Sequence, residues 1–374
     1  MDFPVGVEEE YQLVDPGTGA LRGRAPTVLA AARGAAKAEY QRTILEVASP
    51  VCANAAEAGR RAAEGRLILL RAAAAQGLTI ASAGLHPVGP YPPSQVTDEP
   101  RYRELARSGG AIMRDLHIYG LHVHVGVPGL ETAVRAMAGA TPYTPHLLAL
   151  CASSPFHQGG DTGFASFRTI IRDMFPEVGP ALPVTGAAEY TQLLRILARE
   201  ECDERERCPV SWDIRPSARY PTLEFRFFDA CPWVDDVMVL VAFARALTAM
   251  FADRPPPHRT GTELQLLKEN RWRAARYGLE ARFFRLDPVT GEQRAARDQI
   301  MALADRLSPL AERLGDGAAL AGVERMLRRG NAAEAMRGVL RREGSFPAVT
   351  RWIVDQTSGS AAALVGRPGL RGAA

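Results

Sequence analysis

Two acidic side chains near the start of the chain have the spacing of a metal-binding pair. Glu8 and Glu10 lie two residues apart within residues 6–14, and alternate side chains of an extended strand point to the same face. Two carboxylates held side by side repel each other unless a cation lies between them. Hard cations such as Mg²⁺ take oxygen ligands and keep positions for water and substrate phosphates. The pair indicates a divalent-cation site, with a solvated acidic edge strand as the alternative.

A second strand pattern carries two histidines. In residues 121–127 every odd position is apolar, and His122 and His124 share the other face. One face of this strand is therefore expected to pack in the core, and the other to bind a metal or a substrate. Zinc is the rival metal, and a zinc hydrolase is an alternative, although no H-E-x-x-H helix motif accompanies the two histidines.

A third strand pattern joins an acid to a guanidinium. In residues 222–229 the apolar side chains fall on one face, and Glu224 and Arg226 fall on the other. A carboxylate for a metal beside a guanidinium for phosphate oxygens suits phosphoryl transfer, and a structural ion pair is the alternative. Arg215 and Arg219 lie just upstream. They are candidates to add to a phosphate-binding clamp.

Glu46 is a fourth acid in the same kind of setting. It lies in an otherwise apolar segment, and burying a carboxylate is unfavourable unless a cation or hydrogen bonds compensate it. Four strands that each present an acid, a histidine or an arginine on one face predict a curved sheet. Its concave surface is expected to bind metal and phosphate.

The elements that must position these side chains form a mixed α+β pattern. Strands are predicted over 6–14, 42–49, 78–83, 121–127 and 221–229, and helices over 53–76, 131–139, 235–251 and 262–278. We predict one catalytic domain over residues 1–365 with a C-terminal helical portion from about residue 293. Residues 366–374 are predicted to be a disordered tail.

Composition excludes several classes of protein. The chain of 374 residues is 47% hydrophobic and carries a formal net charge of only +3, so no clustered basic footprint for nucleic acid is indicated. The longest apolar run, residues 237–251, is interrupted by Arg245 and is too short to span a bilayer. Five cysteines without a C-x-x-C pair, and an N-terminus without signal-peptide features, favour a cytoplasmic protein.

Lysine is scarce, which limits how phosphate can be bound. Lys37 and Lys268 are the only lysines, and no G-x-x-x-x-G-K-[ST] motif is present. Any phosphate is therefore expected to be held by metal ions and arginine. Small molecules are the expected partners, with neither nucleic acid nor membrane.

Taken in order, the sequence motifs resemble those of the type 2 glutamate–cysteine ligase family, which are carboxylate–amine ligases. The resemblance runs from about Val5 to about Ile353. The motifs that carry it are Gly6-Val-Glu-Glu-Glu-Tyr-Gln-Leu-Val-Asp-Pro, Leu121-His-Val-His-Val-Gly, Ala152-Ser-Ser-Pro-Phe, Asp161-Thr-Gly-Phe-Ala-Ser, Trp212-Asp-Ile-Arg-Pro-Ser, Tyr220-Pro-Thr-Leu-Glu and Glu269-Asn-Arg-Trp-Arg-Ala-Ala-Arg-Tyr-Gly-Leu.

The resemblance implies a glutamine-synthetase-like fold, in which helices cover an antiparallel β-sheet funnel where ATP and Mg²⁺ or Mn²⁺ meet the acyl donor. It implies metal-binding roles for Glu8, Glu10, Glu46, His122 and Glu224. It implies catalytic roles for Arg226, Arg215 and His124, with Arg215 and Arg226 contacting phosphate, and the position of Arg219 makes it a further candidate for phosphate binding. Substrate-binding roles are expected for His124, His157, Asn270 and Arg271.

The implied chemistry is amide formation through an acyl phosphate. A carboxylate attacks the γ-phosphorus of ATP, and an amine then displaces phosphate from the activated carbonyl. Glutamate and cysteine, or a related pair of small molecules, are the expected substrates, and a homo-oligomer is left open. His157 and Gly160 differ from the residues usual in the family, so the acceptor stays open.

Two further alternatives share this fold. One is an ATP-dependent kinase of a carboxylate or guanidino compound, which would release its phosphorylated product. The other is a non-catalytic nucleotide-binding regulator. Product analysis with and without an amine separates the kinase from the ligase, and ATP binding without amine-stimulated phosphate release favours the regulator.

Overall fold

The computed structural model describes residues 2–92, 95–114, 116–198, 209–286 and 288–366. The strands are β1 (Val5–Val14), β2 (Lys37–Ala38), β3 (Ile44–Ala48), β4 (Thr79–Ala81), β5 (Gly120–Gly126), β6 (Phe156–His157), β7 (Gly160–Asp161), β8 (Val178–Gly179), β9 (Ser211–Trp212), β10 (Ile214–Pro216), β11 (Thr222–Asp229), β12 (Arg282–Leu286) and β13 (Val289–Ala295). The helices are α1 (Ala25–Ala32), α2 (Ala55–Ala74), α3 (Pro100–Arg114), α4 (Leu130–Ala140), α5 (Thr144–Cys151), α6 (Phe167–Arg172), α7 (Ala187–Leu197), α8 (Val234–Phe251), α9 (Gly261–Tyr277), α10 (Ala296–Arg313), α11 (Gly317–Ala321), α12 (Val323–Arg329), α13 (Ala332–Glu343) and α14 (Phe346–Gly366).

An antiparallel sheet of seven strands positions the predicted site residues. Its order is β10–β11–β5–β1–β3–β2, and β4 pairs with the end of β1. The neighbouring strands in this sheet are antiparallel. Since β1 and β5 lie at its centre, the acidic strand and the histidine strand are direct neighbours.

One face of the sheet is apolar and packs against α2, α4 and α8. Strand side chains from this face join helix residues in one buried cluster, among them Val5, Val7, Leu121, Val123, Val125, Leu223 and Phe225. Small residues let α2 approach closely, because a side chain at Gly65 would lie 2.8 Å from Val47. Alternation along each strand then leaves the other face to the polar side chains.

Glu9 is the acid of β1 that points toward the helices. It is 2% exposed, and Arg66 of α2 donates to its Oε1 at 2.5 Å. Arg66 also donates to the backbone carbonyls of Cys231 and Pro232, and Tyr11 donates to Glu9 Oε2. This buried pair fixes which way β1 faces, so that Glu8 and Glu10 point to the opposite side.

The predicted elements are confirmed, and their ends agree within two residues. Helices α10 to α14 follow one another in the C-terminal part of the described chain. The pattern missed the hairpin of β12 and β13, whose charged and mostly exposed residues lack clear alternation. The single-domain boundary remains a prediction, and the predicted tail beyond residue 366 lies outside the described residues. Within the described part of the chain, no helix is long and apolar enough to cross a bilayer.

Candidate active site

Strand register brings the predicted acids and histidines together on the polar face of the sheet. Glu8 on β1 is paired with His122 on β5, and His124 on β5 is paired with Glu224 on β11. Arg215 on β10 is paired with Glu224 from the other side. Directly opposite residues have Cβ atoms about 5 Å apart. Backbone pairing alone therefore places these side chains within reach of one another.

Glu8, His122, His124 and Glu224 form what we call the histidine cluster. His124 Nε2 lies 3.7 Å from both Glu8 Oε2 and Glu224 Oε1, and His122 Nδ1 lies 3.4 Å from Glu8 Oε2. Ligand atoms of Glu8, His124 and Glu224 all lie within 4.8 Å of one another, as a metal site requires. The resemblance implied His122 as the ligand, and both histidines lie within 4.0 Å of both acids, with His124 completing the group whose ligand atoms converge.

The charge states of the side chains in the histidine cluster favour binding of a cation. Burial would raise the pKa of Glu8, but hydrogen bonds and charges from His122 and His124 hold it well below its ordinary value. Burial also opposes ionisation of Glu224, and the charges of Arg226 and Arg215 outweigh it and lower the pKa. Burial, with the charge of Arg226, lowers the pKa of His122 to about 4. At neutral pH the acids are anionic and His122 is neutral, which is the form that binds metal.

Glu10, Glu39 and Glu46 form a second group, the acidic cluster, whose ligand oxygens also lie within 4.8 Å of one another. Burial raises the pKa of Glu10 to about 7 and, together with neighbouring Glu39, raises that of Glu46 to about 8. Three carboxylates this close together repel one another, so they do not all ionise unless a cation binds between them. An all-oxygen donor set fits Mg²⁺ or Mn²⁺. Lys37 Nζ, 2.7 Å from Glu46 Oε1, supplies one positive charge.

Two arginines donate hydrogen bonds to Glu224, one to each carboxylate oxygen. Arg226 Nη1 donates to Glu224 Oε1, and Arg215 Nε donates to Oε2 at 2.9 Å. The backbone N–H of Arg226 donates to the carbonyl of Asp213 at 2.8 Å, which fixes the strand that carries it. Arg226 Nε is buried without a hydrogen-bond partner among the described residues. These guanidinium groups are placed to meet an anion beside the histidine cluster.

Arg168 and Arg172 of α6, which strand patterns could not reveal, complete an arginine cluster with Arg226. A β-bulge interrupts the β5–β11 ladder, and Arg168 donates to two carbonyls of β11 there, at 3.2 and 3.4 Å. A side chain at Gly120 would overlap the Arg168 guanidinium and lie 3.4 Å from His122 Nε2, so Arg168 borders the histidine cluster.

The arginine cluster carries unsatisfied donors. Arg168 and Arg172 are 2% and 7% exposed, and within the described chain Arg168 Nε and Arg172 Nη1 are buried without a hydrogen-bond partner. Burial, together with the charge of Arg168, lowers the pKa of Arg172 to about 9. Buried guanidinium groups with spare donors are typical of sites that receive a carboxylate or a phosphate.

Arg219 and His157 lie at the edges of this arrangement. Arg219 is exposed, and its guanidinium lies 5.4 Å from the ring centre of Tyr220, which packs edge-on against His124. Arg219 therefore lies at the mouth of the histidine cluster. His157 is half-buried, with Nδ1 3.3 Å from the Tyr91 hydroxyl. Its predicted substrate contact stays a prediction.

Asn270 and Arg271 are buried in structural contacts. Asn270 exchanges two hydrogen bonds with the backbone of Phe284. Arg271 donates to both carboxylate oxygens of Asp213, at 2.6 and 3.0 Å, and to Asp173 at 2.5 Å. The Asp213 carbonyl accepts a hydrogen bond from the backbone N–H of Arg226. Arg271 therefore affects the site indirectly, by holding Asp213 in place. Direct substrate contact by either residue remains a prediction.

Glu39 and Lys37 were missed although the sequence carries a signal for them. They are two residues apart, next to strand β3, and in an extended segment such residues share a face. Lys37 is paired with Glu46 in the β2–β3 hairpin. Recognising that hairpin would have placed both side chains beside Glu46.

Comparison with known proteins shows which family the sequence matches. The model of glutamate–cysteine ligase family 2 matches residues 4–351. A protein of Rubrobacter xylanophilus that carries the provisional name glutamate–cysteine ligase 2-3 is 36% identical over 362 residues, which cover 95% of this chain and 97% of the relative. A protein of Saccharopolyspora erythraea, provisionally named glutamate–cysteine ligase 2-1, is 36% identical over 375 residues and covers 98% of both chains.

Two solved structures share the fold. The glutamate–cysteine ligase of Francisella tularensis in complex with AMP superposes with a TM-score of 0.69 at 14% identity, over 99% of this chain and 90% of that one. A bifunctional glutathione synthetase from Pasteurella multocida gives 0.69 at 17% identity, over 96% of this chain and 52% of that one, so this chain spans about half of it. The predicted glutamine-synthetase-like α+β fold is confirmed.

Proposed function

We propose that this chain, which belongs to glutamate–cysteine ligase family 2 and is therefore an ATP-dependent ligase, joins the side-chain carboxylate of glutamate, or of a related dicarboxylic amino acid, to the amine of cysteine or a similar acceptor. The ligase class and the use of small-molecule substrates follow from the family. The substrate pair, the residue roles and the cation sites are the proposal.

The observation that carries the proposal is the sharing of one sheet face by two cation-binding donor sets and a group of buried arginines. Glu8, His124 and Glu224 converge at one point, and Glu10, Glu39 and Glu46 converge at another. Divalent cations bound at these two clusters would neutralise the charge on the phosphate oxygens of ATP. Phosphoryl transfer depends mainly on such positioning and charge stabilisation, so no enzyme nucleophile is needed.

The arginines that flank Glu224 are proposed to act on the transferred phosphoryl group. Arg226 and Arg215 are oriented by their hydrogen bonds to Glu224, and Arg226 keeps a buried donor, Nε, for a further partner. As the donor carboxylate attacks the γ-phosphorus and ADP departs, charge spreads over the equatorial oxygens, and fixed guanidinium donors stabilise it. The amine then attacks the acyl phosphate, and inorganic phosphate leaves.

Arg168 and Arg172 support a donor with a second anionic group. The two guanidinium groups lie beside His122 and Arg226, and each is 3.8 Å from a buried aspartate, yet Arg168 Nε and Arg172 Nη1 make no hydrogen bond to the described residues. A dicarboxylic amino acid such as glutamate supplies one carboxylate to react and another to bind. Arg172→Met should raise the KM for such a donor at least tenfold and leave the KM for ATP nearly unchanged.

The test is phosphate release from Mg-ATP by the purified protein with a panel of carboxylic acids, glutamate first, each with and without cysteine or other amines. The proposal expects release that requires both a carboxylate and an amine. It also expects hydroxylamine to trap the activated carboxylate as a hydroxamate. Glu224→Gln should abolish release, whereas Glu324→Gln, which changes an exposed acid of α12, should not.

Two outcomes would contradict the proposal. A phosphorylated product that accumulates without any amine would identify a kinase. ATP binding without phosphate release from any carboxylate–amine pair would favour a nucleotide-binding regulator.

A further inference from the structure

One of the two lysines of the chain lies between the proposed cation sites. Lys37 Nζ is 2.7 Å from Glu46 Oε1 and 3.8 Å from Glu8 Oε1. Glu46 belongs to the acidic cluster and Glu8 to the histidine cluster. The other lysine, Lys268, is exposed on α9. In a chain that uses arginine for nearly every basic position, this placement of an ammonium group calls for a functional reason.

The ammonium and a divalent cation would compete for the same carboxylate. A Mg²⁺–oxygen bond is about 2.0–2.1 Å long, so an ion bound to Glu46 while Lys37 stayed at 2.7 Å would place +2 and +1 charges within about 4 Å of each other, at a strong electrostatic penalty. The Lys37 side chain is 50% exposed, whereas that of Glu46 is 5% exposed. The lysine can therefore swing away into solvent, and the glutamate cannot.

Charge balance gives the ammonium a role when no ion is bound. Glu10, Glu39 and Glu46 crowd their oxygens within 4.8 Å, and strand pairing fixes Glu46 opposite both Glu10 and Lys37. A single positive charge at Lys37 offsets part of the repulsion.

We propose that Lys37 is a protein-borne competitor of the divalent cation at the acidic cluster. It pairs with Glu46 while the cation is absent, and binding of the cation displaces it. The inference rests on the assignment of the acidic cluster as a cation site in the proposed function. Lys37 is then a positioning residue, and it lowers the affinity of the acidic cluster for the ion.

The test measures Mn²⁺ binding directly, by titration with the electron paramagnetic resonance signal of free Mn²⁺ as the readout. Lys37→Met should tighten one class of Mn²⁺ site about tenfold, which corresponds to about 1.4 kcal/mol. Lys37→Arg keeps the charge and should stay within about twofold of the wild type. Lys268→Met removes the other lysine and should change nothing. In a Glu39→Gln background, the effect of Lys37→Met should shrink, because the affected site has lost a ligand.

Thermal melting gives a second readout that does not need turnover. Metal-free Lys37→Met should melt below the wild type, and Mn²⁺ should raise its melting temperature by a larger amount. Unchanged or weaker Mn²⁺ binding by Lys37→Met would overturn the inference and leave the ligase proposal standing. If neither the wild type nor Lys37→Met binds Mn²⁺, the cation assignment of the acidic cluster fails together with the inference.

Discussion

Replacement of Arg66 by methionine should destabilise the protein strongly, because it leaves the buried carboxylate of Glu9 without a counter-ion. Arg66 is fully buried, and its guanidinium meets Glu9 and two backbone carbonyls of the segment after β11. Methionine fills most of the volume but offers no donor. Glu9, 2% exposed, would keep the Tyr11 hydroxyl as a partner and lose its counter-charge.

The magnitude follows from what Glu9 can do next. It either stays charged without a counter-ion or takes up a proton, and for a glutamate at pH 7 the proton costs about 4 kcal/mol. Breaking a buried ion pair by removing one partner costs roughly 3–5 kcal/mol in other proteins. With an unfolding entropy of about 2 cal/mol/K per residue, a loss of that size lowers the melting temperature by about 5 °C in a chain of this length.

Circular dichroism melts and urea titrations at pH 7 and pH 5 measure the effect. The penalty of Arg66→Met relative to the wild type should be smaller at pH 5, since protonating the stranded acid is then easier. Adding Glu9→Gln removes the charge and should make the double variant more stable than Arg66→Met alone at pH 7. Arg61→Met, which changes a partly exposed arginine of the same helix, should melt close to the wild type. An Arg66→Met protein with unchanged stability, or a double variant less stable than the single one, would refute this reasoning.

Three further perturbations test other parts of the structure. Gly120→Ala should lower ligase activity at least tenfold with little loss of folding, because the new methyl group overlaps the Arg168 guanidinium; wild-type kinetics would contradict this. Burial lowers the pKa of His146 to about 4, so the folded protein keeps this histidine neutral at a pH where the unfolded chain protonates it. The free energy of unfolding should therefore decrease by up to about 3 kcal/mol as the pH falls from about 6.5 to 4. His146→Gln should flatten that acid dependence in denaturant titrations. Arg271→Met should lower the melting temperature and kcat while the donor KM changes little, since Arg271 acts through Asp213; a selective rise in KM would instead support direct substrate contact.

Much of the fold could be read from the sequence because its signals are local. Strand β1 alternates so regularly that the common face of Glu8 and Glu10 follows from the side-chain period of two. Helix α8 is a long apolar run, and it lies buried behind the sheet as its composition indicates. The same reasoning could not show the β-bulge in β11. A bulge depends on how a partner strand pairs rather than on the strand's own residues.

The candidate site likewise contains residues that local patterns predicted and residues that they could not predict. Strand patterns gave each of its acids, histidines and arginines on β1, β3, β5 and β11. They could not give Arg168, which lies on a short helix and reaches the sheet across the bulge. Nor could they show that Asn270 and Arg271 are held in buried contacts. The sequence placed those two on a helix but could not say which neighbours the helix would meet.

Which side chains share a face follows from the sequence alone, because the periods of strands and helices are properties of the local backbone. The sequence also determined the chemistry available, with carboxylates, imidazoles and guanidinium groups in place of a lysine-based phosphate loop. Which residues contact one another depends on the folded chain as a whole. Strand register pairs both Glu10 and Lys37 with Glu46, and packing places Arg168 beside Gly120. Such contacts join segments far apart in the chain, and the energy that selects them belongs to the packed core rather than to any one segment.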